Sequence, residues 1–480
     1  MTKINARRAA LSAALLTLLP LSAHATNGMN MEGYGPIATA MGGASMGYDN
    51  GTAAMMNNVA TLGLMEEGSR LDVFFGFLGP DVDAAAGGQT ANSGGTAYWM
   101  PAAGFVRKRD GVTLGLGLYG QGGMGTEYGD GSFMSMGYGL ENRTELSVGR
   151  VILPIAFQAT DRLSLGASLD FVWAGLDLRM AMSEAQFGDL ITTRRGGTAS
   201  GSLVTAFSGM YQPLAGPGAP ISALNFAYFD FSNGSRFSGK ARGYGYAGKL
   251  GATFRVNDRL TLGASYHSET RLGDMSTDQA VVRMGVTADF GAGSQNYDIP
   301  VTGRLSVKDF QWPATWSLGA ALQATDRLLL VGDIKRIAWA DTMQAFRMVF
   351  TADGSQANPL AAGFAGQTID AALYQRWKDQ TVYQLGAAYA WNRQLTLRAG
   401  INVADNPVPD QYLNALFPAI IEQHVTAGFG YAFNDLQSID VSVQRGLRIS
   451  ATNPGNGATI PAVTSTHAQW NFQFIYSHRF

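Results

Sequence analysis

A chain of 480 residues with 61 Gly, 11% aromatic residues and only 15% charged ones departs from an ordinary soluble domain, where about 25% of residues are charged and about 7% are Gly. The formal charge of −2 comes without any basic block, which excludes nucleic acid as an expected partner. The absence of cysteine excludes disulfides, zinc–thiolate sites and thiol catalysis. With 46% hydrophobic residues the chain is too apolar for disorder, yet after residue 25 no apolar run is long enough for a transmembrane helix.

In chain order, Lys3, Arg7 and Arg8 precede an apolar run from Ala9 to Leu21, which Ala23-His24-Ala25 closes. This is the arrangement of a secretory signal peptide, and the run is shorter than the roughly 20 residues of a spanning helix. Residues 1–25 are expected to be removed, leaving a more acidic mature chain from Thr26. Residues 26–68 are rich in Gly, Ala, Met and Asn, with 38–46 and 53–64 reading as short helices or turns built to pack. A free periplasmic tail would be more polar, so this segment is expected to be a hatch inside a lumen.

From residue 69 onward one local pattern repeats. Phe-Gln-Ala-Thr-Asp-Arg-Leu-Ser-Leu-Gly-Ala-Ser-Leu (157–169) returns as Phe-Arg-Val-Asn-Asp-Arg-Leu-Thr-Leu-Gly-Ala-Ser-Tyr (254–266) and as Leu-Gln-Ala-Thr-Asp-Arg-Leu-Leu-Leu (322–330). Looser copies lie at 105–114, 389–397 and 431–439. Each joins two alternating segments through Asn, Asp or Gly, the signature of a tight β-hairpin. After the 157–169 turn, Leu163, Leu165, Ala167, Leu169, Phe171 and Trp173 share one face against Ser164, Gly166, Ser168 and Asp170.

The six turns join six pairs of strands, twelve in all. With one strand before the first pair and a lone last strand, the count is 14, an even number as bacterial single-chain barrels require. Between pairs lie long segments at 122–144, 183–240, 272–300, 341–379, 405–421 and 446–467, expected as extracellular loops. An amphipathic helix is expected over 359–379, with Leu360, Phe364, Ile369, Leu373 and Trp377 as its apolar members. The last strand puts Trp470, Phe472, Phe474, Tyr476 and the terminal Phe480 on one face, suited to the barrel-assembly machinery and the outer-membrane lipids. The fold class is therefore all-β: a 14-stranded antiparallel transmembrane β-barrel (69–480) with an N-terminal hatch in the lumen.

Residues 33–60, from Gly33-Tyr-Gly-Pro-Ile-Ala-Thr-Ala-Met-Gly-Gly-Ala to Asn57-Asn58-Val59-Ala60, resemble the N-terminal hatch of the FadL/TodX family of outer-membrane transport proteins. Where the family has Asn-Pro-Ala this chain has Asn58-Val59-Ala60. The Thr/Asn-Asp-Arg-Leu-x-Leu-Gly-Ala turns and Val-Ile-Leu-Pro-Ile-Ala-Phe (151–157) also resemble the family. The resemblance covers the hatch, the later hairpins and the terminal strand, and not the long loops. It implies a plugged barrel that takes up long-chain fatty acids or, in other members, aromatic hydrocarbons. Ligand passes from an extracellular groove to an apolar pocket, and leaves sideways into the membrane at a kinked third strand beside the hatch. An apolar pocket open to lipid favours such a ligand as no water-filled pore does.

Asn57, Asn58 and Ala60 are the hatch candidates. Gly120, Gly122 and Gly123 belong to the run Gly120-Gln-Gly122-Gly123-Met-Gly125, which satisfies Gly-x-Gly-x-x-Gly but lacks the following helix and acidic residue of a dinucleotide site. They fall in the third strand, where glycines permit a bend, and are the lateral-gate candidates. By parity Asp170, Asp333, Lys335 and Arg398 face the lumen; Lys335 and Arg398 are the candidates to pair with a fatty-acid carboxylate, or else with acidic neighbours or the hatch. The histidines have no metal-ligand spacing and no Gly-x-Ser-x-Gly elbow occurs, so no cofactor, metal or catalytic residue is expected. The function expected is passive uptake of a hydrophobic small molecule, fatty acid first and aromatic hydrocarbon second, by a monomer. An acyl hydrolase, a diffusion porin and a structural barrel are the remaining readings.

Overall fold

The computed structural model describes residues 27–235 and 238–480. The expected signal peptide and its cleavage point lie outside the described residues. The strands run as β1 (Gly68–Ala86), β2 (Gln89–Asn92), β3 (Tyr98–Arg109), β4 (Val112–Tyr128), β5 (Asn142–Gln158), β6 (Leu163–Met182), β7 (Gly197–Ser200) and β8 (Ile221–Phe231). They continue as β9 (Ala241–Asn257), β10 (Leu260–His267), β11 (Arg271–Leu272), β12 (Met275–Ala288), β13 (Gln295–Lys308), β14 (Thr315–Thr325) and β15 (Leu328–Ile337). The last are β16 (Ala345–Ala352), β17 (Thr368–Tyr374), β18 (Gln380–Ala390), β19 (Leu395–Ala404), β20 (Gln423–Ala432), β21 (Gln437–Asn453) and β22 (Val463–Arg479).

β22 pairs with β21 and also with β1, from Arg70↔Arg479 to Ala85↔Thr464, so the sheet closes on itself. The β3–β4 turn shows how sequence sets the hairpins. Asp110 and Gly111 take φ of 51° and 75°, the double positive φ that suits a type I′ turn to the twist of its strands.

The expected count of 14 strands is corrected: among the described residues a single sheet holds 22. The expectation allotted one strand to each side of a tight turn and treated the rest as loop. Those loops alternate with period two themselves. Ala280, Val282, Met284, Val286 and Ala288 of β12 are all buried, and β12 pairs with β8 and β13, extending the sheet beyond the hairpins. The helix expected over 359–379 is likewise absent. A 3-10 turn, Pro359–Phe364, is followed by β17, whose Ile369 and Ala371 are buried while it pairs with β16 and β7. Gly363 and Gly366 weaken a helix there, and the alternation after them suits a strand.

The wall is apolar outside and polar inside. Leu114, Leu116, Leu118, Leu169, Phe171, Leu250, Leu318, Ile334 and Tyr383 are exposed outward, whereas Thr113, Arg150, Asp170, Lys249, Asp333, Gln384, Asn402 and Gln444 are buried inward. A soluble sheet reverses this order, and a barrel surrounded by lipid requires it.

The space within is occupied by residues 27–65. They form a four-residue helix, Pro36–Thr39, and two 3-10 turns, Gly51–Met55 and Val59–Leu64. Asp333 accepts the Ser45 N–H at 2.6 Å, Gln384 donates to the Glu32 carbonyl at 2.7 Å, and Thr426 donates to the Ala40 carbonyl at 3.0 Å. The inner wall is glycine where this backbone lies against it. A Cβ at Gly263 would come within 1.8 Å of the Met46 carbonyl oxygen, and one at Gly400 within 2.3 Å of the Gly42 nitrogen.

Candidate functional site: a gap in the wall and the cavity behind it

β3 and β4 pair only near their turn, from Arg109↔Val112 to Ala103↔Leu118. Beyond that point β3 keeps its other neighbour, β1, as far as Leu78↔Tyr98, and β4 keeps β5 as far as Tyr128↔Asn142. Between them the ladder is missing and the wall has a gap. Pro101 stands at its margin, and proline has no N–H with which to extend a ladder.

Across the gap β4 bends inward. Its register with β5 runs Gly120↔Gly149 and then Gly122↔Val148, so Gln121 forms a bulge. The bend brings β4 to the N-terminal segment, where Asn30 bridges Gly122 and the Gly123 N–H donates to the Met29 carbonyl at 3.2 Å. A Cβ at Gly122 would lie 2.2 Å from that carbonyl oxygen, and one at Gly123 would lie 2.0 Å from the Leu146 carbonyl oxygen. At Gly120 a Cβ would meet only the mobile end of Met100.

Behind the gap lies a cavity of about 320 Å³. Tyr98, Trp99, Tyr119 and Trp173 line it, together with Met29, Met31, Met100 and Met124. Glu32 and Glu145 are its acidic members, and it has no Lys or Arg among the described residues. Glu32 Oε1 sits 2.8 Å from His424 Nε2. Burial raises the Glu32 carboxyl, but His424, a backbone hydrogen bond and the charge of Lys335 together outweigh it and hold the group below its usual value of 4.5. The stability this carboxylate contributes is thus present above pH 4.5 and lost as pH falls through its lower, folded value. Thermal unfolding in detergent is expected to show wild type ahead of Glu32→Gln at neutral pH, with the two converging in acid. A constant difference from pH 7 to below 4.5 would contradict this.

The expected gate residues Gly120, Gly122 and Gly123 come together at the gap. Asn57, Asn58 and Ala60 fasten the N-terminal segment instead. Asn57 Nδ2 donates to the Tyr34 carbonyl at 2.9 Å, Asn58 Nδ2 donates to the Met46 carbonyl at 2.8 Å and to the Ala252 carbonyl of β9, and Asn58 Oδ1 caps the Ala60 N–H. Lys335 on β15 and Arg398 on β19 do not line the cavity. Arg398 Nη1 lies 2.7 Å from Asp440 Oδ1, beside an opening of about 400 Å³ at the tight-turn end. Sequence reasoning passed over Gln121, Arg150 and Trp312, all buried around the bend. Only the parity of Arg150, a cation amid apolar residues of β5, signalled any of them.

The profile of the family described as outer membrane protein transport protein (OMPP1/FadL/TodX) matches residues 17–466. The chain belongs to this family. Its fold superposes on the toluene transporter TodX of P. putida with a TM-score of 0.78 and 31% identity, covering 94% of this chain and 99% of that one. Over 418 residues it is 24% identical to a long-chain fatty acid transport protein of Escherichia coli O6:H1, covering 84% of this chain and 83% of that one. A stretch of 100 residues, 20% of this chain, is 48% identical to an uncharacterized protein of Chlorobium limicola, of whose length this chain spans about half (49%). This member is a Gram-negative outer-membrane β-barrel that transports hydrophobic compounds, and the family's members are channels rather than enzymes.

Proposed function

We propose that the chain carries neutral hydrophobic molecules the size of a monoaromatic hydrocarbon from the cell exterior into the outer-membrane lipid, releasing them sideways between β3 and β4. The observation that carries this reading is the cavity at the gap, apolar on its aromatic and methionine sides and lined by no Lys or Arg, with His467 as its one basic side chain among the described residues. A carboxylate there would lie among Glu32 and Glu145 with no Lys or Arg to pair with, at a steep cost in a low-dielectric pocket. Aromatic rings and thioethers suit a flat, polarisable ligand. At about 320 Å³ the cavity exceeds the roughly 150 Å³ that suffices to admit benzene. The similar TodX is named as a toluene transporter, in keeping with this choice.

In this reading residues 26–68 are a hatch that stops the lumen, and Gly120, Gly122 and Gly123 form the lateral gate. A second apolar recess of about 350 Å³, with Met134, Met180, Met182, Tyr412 and Leu416 on its walls, is the extracellular intake. Its Leu416 carbonyl accepts from Thr126 of β4, next to the cavity-lining Gly125. The aromatic face of β22 supports recognition by the barrel-assembly machinery and contact with outer-membrane lipids, and the closed wall supports a monomer.

Long-chain fatty acids, the first expectation from the sequence, become the second reading, favoured by the relative of that name. Uptake of toluene and of a long-chain fatty acid, by cells expressing wild type, Lys335→Met or Arg398→Met, separates the two. Toluene uptake that exceeds acid uptake and is indifferent to both substitutions is expected. Acid uptake lost in either variant, with toluene spared, would return the assignment to fatty acids.

A further inference from the structure

The missing β3–β4 ladder needs a force to keep it missing. Unpaired N–H and C=O groups at hydrocarbon depth cost several kcal/mol each, so a free β4 would move outward and pair with β3. Glycines permit the inward bend but cannot hold it. Beside the main-chain bridge of Gly122 to Asn30 and the Gly123 N–H bond to Met29, Gln121, the bulged residue, adds the attachments made through side chains. Its main-chain oxygen accepts the Tyr34 hydroxyl, and its Nε2 donates to Asn30 Oδ1 at 3.1 Å, an oxygen that also accepts the Trp312 indole N–H at 2.8 Å. On the wall side its Oε1 accepts from the Arg150 guanidinium, which donates to Asp170 at 2.9 Å, and Lys249 donates to the same Asp170 oxygen. Gln121, Arg150, Asp170 and Lys249 are all nearly inaccessible to solvent.

We infer that Gln121 is the positioning residue that holds the wall open, by tying β4 at once to the N-terminal segment and to the buried Arg150–Asp170–Lys249 cluster. The inference rests on the sideways release proposed above only for its consequence in transport; its structural content stands apart. A glutamine is suited to the place because one amide supplies an acceptor for Arg150 and a donor for Asn30. Glutamate would keep the first and lose the second.

The test uses the full barrel in detergent and in cells. Hydrogen exchange of peptides covering 98–103 and 119–125 is expected to slow about tenfold in Gln121→Ala, the factor given by 1.4 kcal/mol, as the two strands pair. Gln121→Glu should fall between it and wild type, and peptides of β14 and β15 should be unchanged. Toluene uptake at equal amounts of folded barrel should drop in the same order. Should Gln121→Ala fail to assemble, Tyr34→Phe, which removes one attachment, must slow the same peptides. Exchange that stays the same or speeds up in the gap peptides of the variant that assembles overturns the inference. Absence of uptake by wild type would instead overturn the proposed function, while exchange still decides the role of Gln121.

Discussion

Valine at position 122 or 123 is expected to cut uptake of a neutral aromatic compound by about an order of magnitude, with the barrel still assembled. Each Cβ falls on a backbone oxygen, that of Met29 or of Leu146, at 2.2 Å and 2.0 Å. Backbone must therefore move, and overpacking of this kind costs about 1–3 kcal/mol. Relief at position 122 lies in pushing β4 away from Met29, outward toward β3, which closes the gap. Gly120→Val, at the same gate, is expected to lose less, because its Cβ meets only the Met100 methyl, which can swing aside. Initial uptake rates, normalised to folded barrel, decide the matter. Equal losses in all three variants would mean that close approach to the N-terminal segment is irrelevant to release.

The largest expected loss of stability is in Asp170→Asn. Asp170 is fully buried and its Oδ2 receives both Arg150 and Lys249. Neutralising it leaves two cations inside the wall without their anion, and removal of one member of a buried pair costs about 3–5 kcal/mol. Unfolding in denaturant should show that loss. Lys249→Met added to Asp170→Asn should recover part of it, since one of the stranded charges goes as well. If Asp170→Asn alone unfolds like wild type, the cluster is not held together by charge.

The barrel was legible because its signals are local. Tight turns with Asp-Arg-Leu or Asp-Gly, followed by period-two alternation, mark hairpins whatever surrounds them. The strands β8, β12, β13, β16 and β17 were not, because Gly, Pro and Ser in the segments around them read as loop, and each has a partner distant in sequence or joined by a longer connection than a tight turn. Segment 359–379 misled for a related reason. Its apolar residues fit helical spacing over the whole stretch, while the alternation that decides β17 covers only 368–374. In the site, Gly122 and Gly123 were found by their glycine run, because the bend has few other ways to be made. Gln121, immediately before them, carried no sign of its own, since its partners Asn30, Tyr34 and Arg150 meet it only in the folded chain. The departure from Asn-Pro-Ala has a simple account. Val59 is the first residue of a 3-10 turn capped by Asn58, a position where proline is tolerated but no particular side chain is demanded.

The inner-wall glycines also bear on when things happen. Residues 27–65 run straight into β1, and β1 meets β22 along the seam that shuts the sheet. With Gly263 and Gly400 touching the Met46 and Gly42 backbone, a wall completed empty would offer no clearance for threading the segment in later. The N-terminus must already be seated when the first and last strands join, so the chain serves as the mandrel on which its own cylinder is wound.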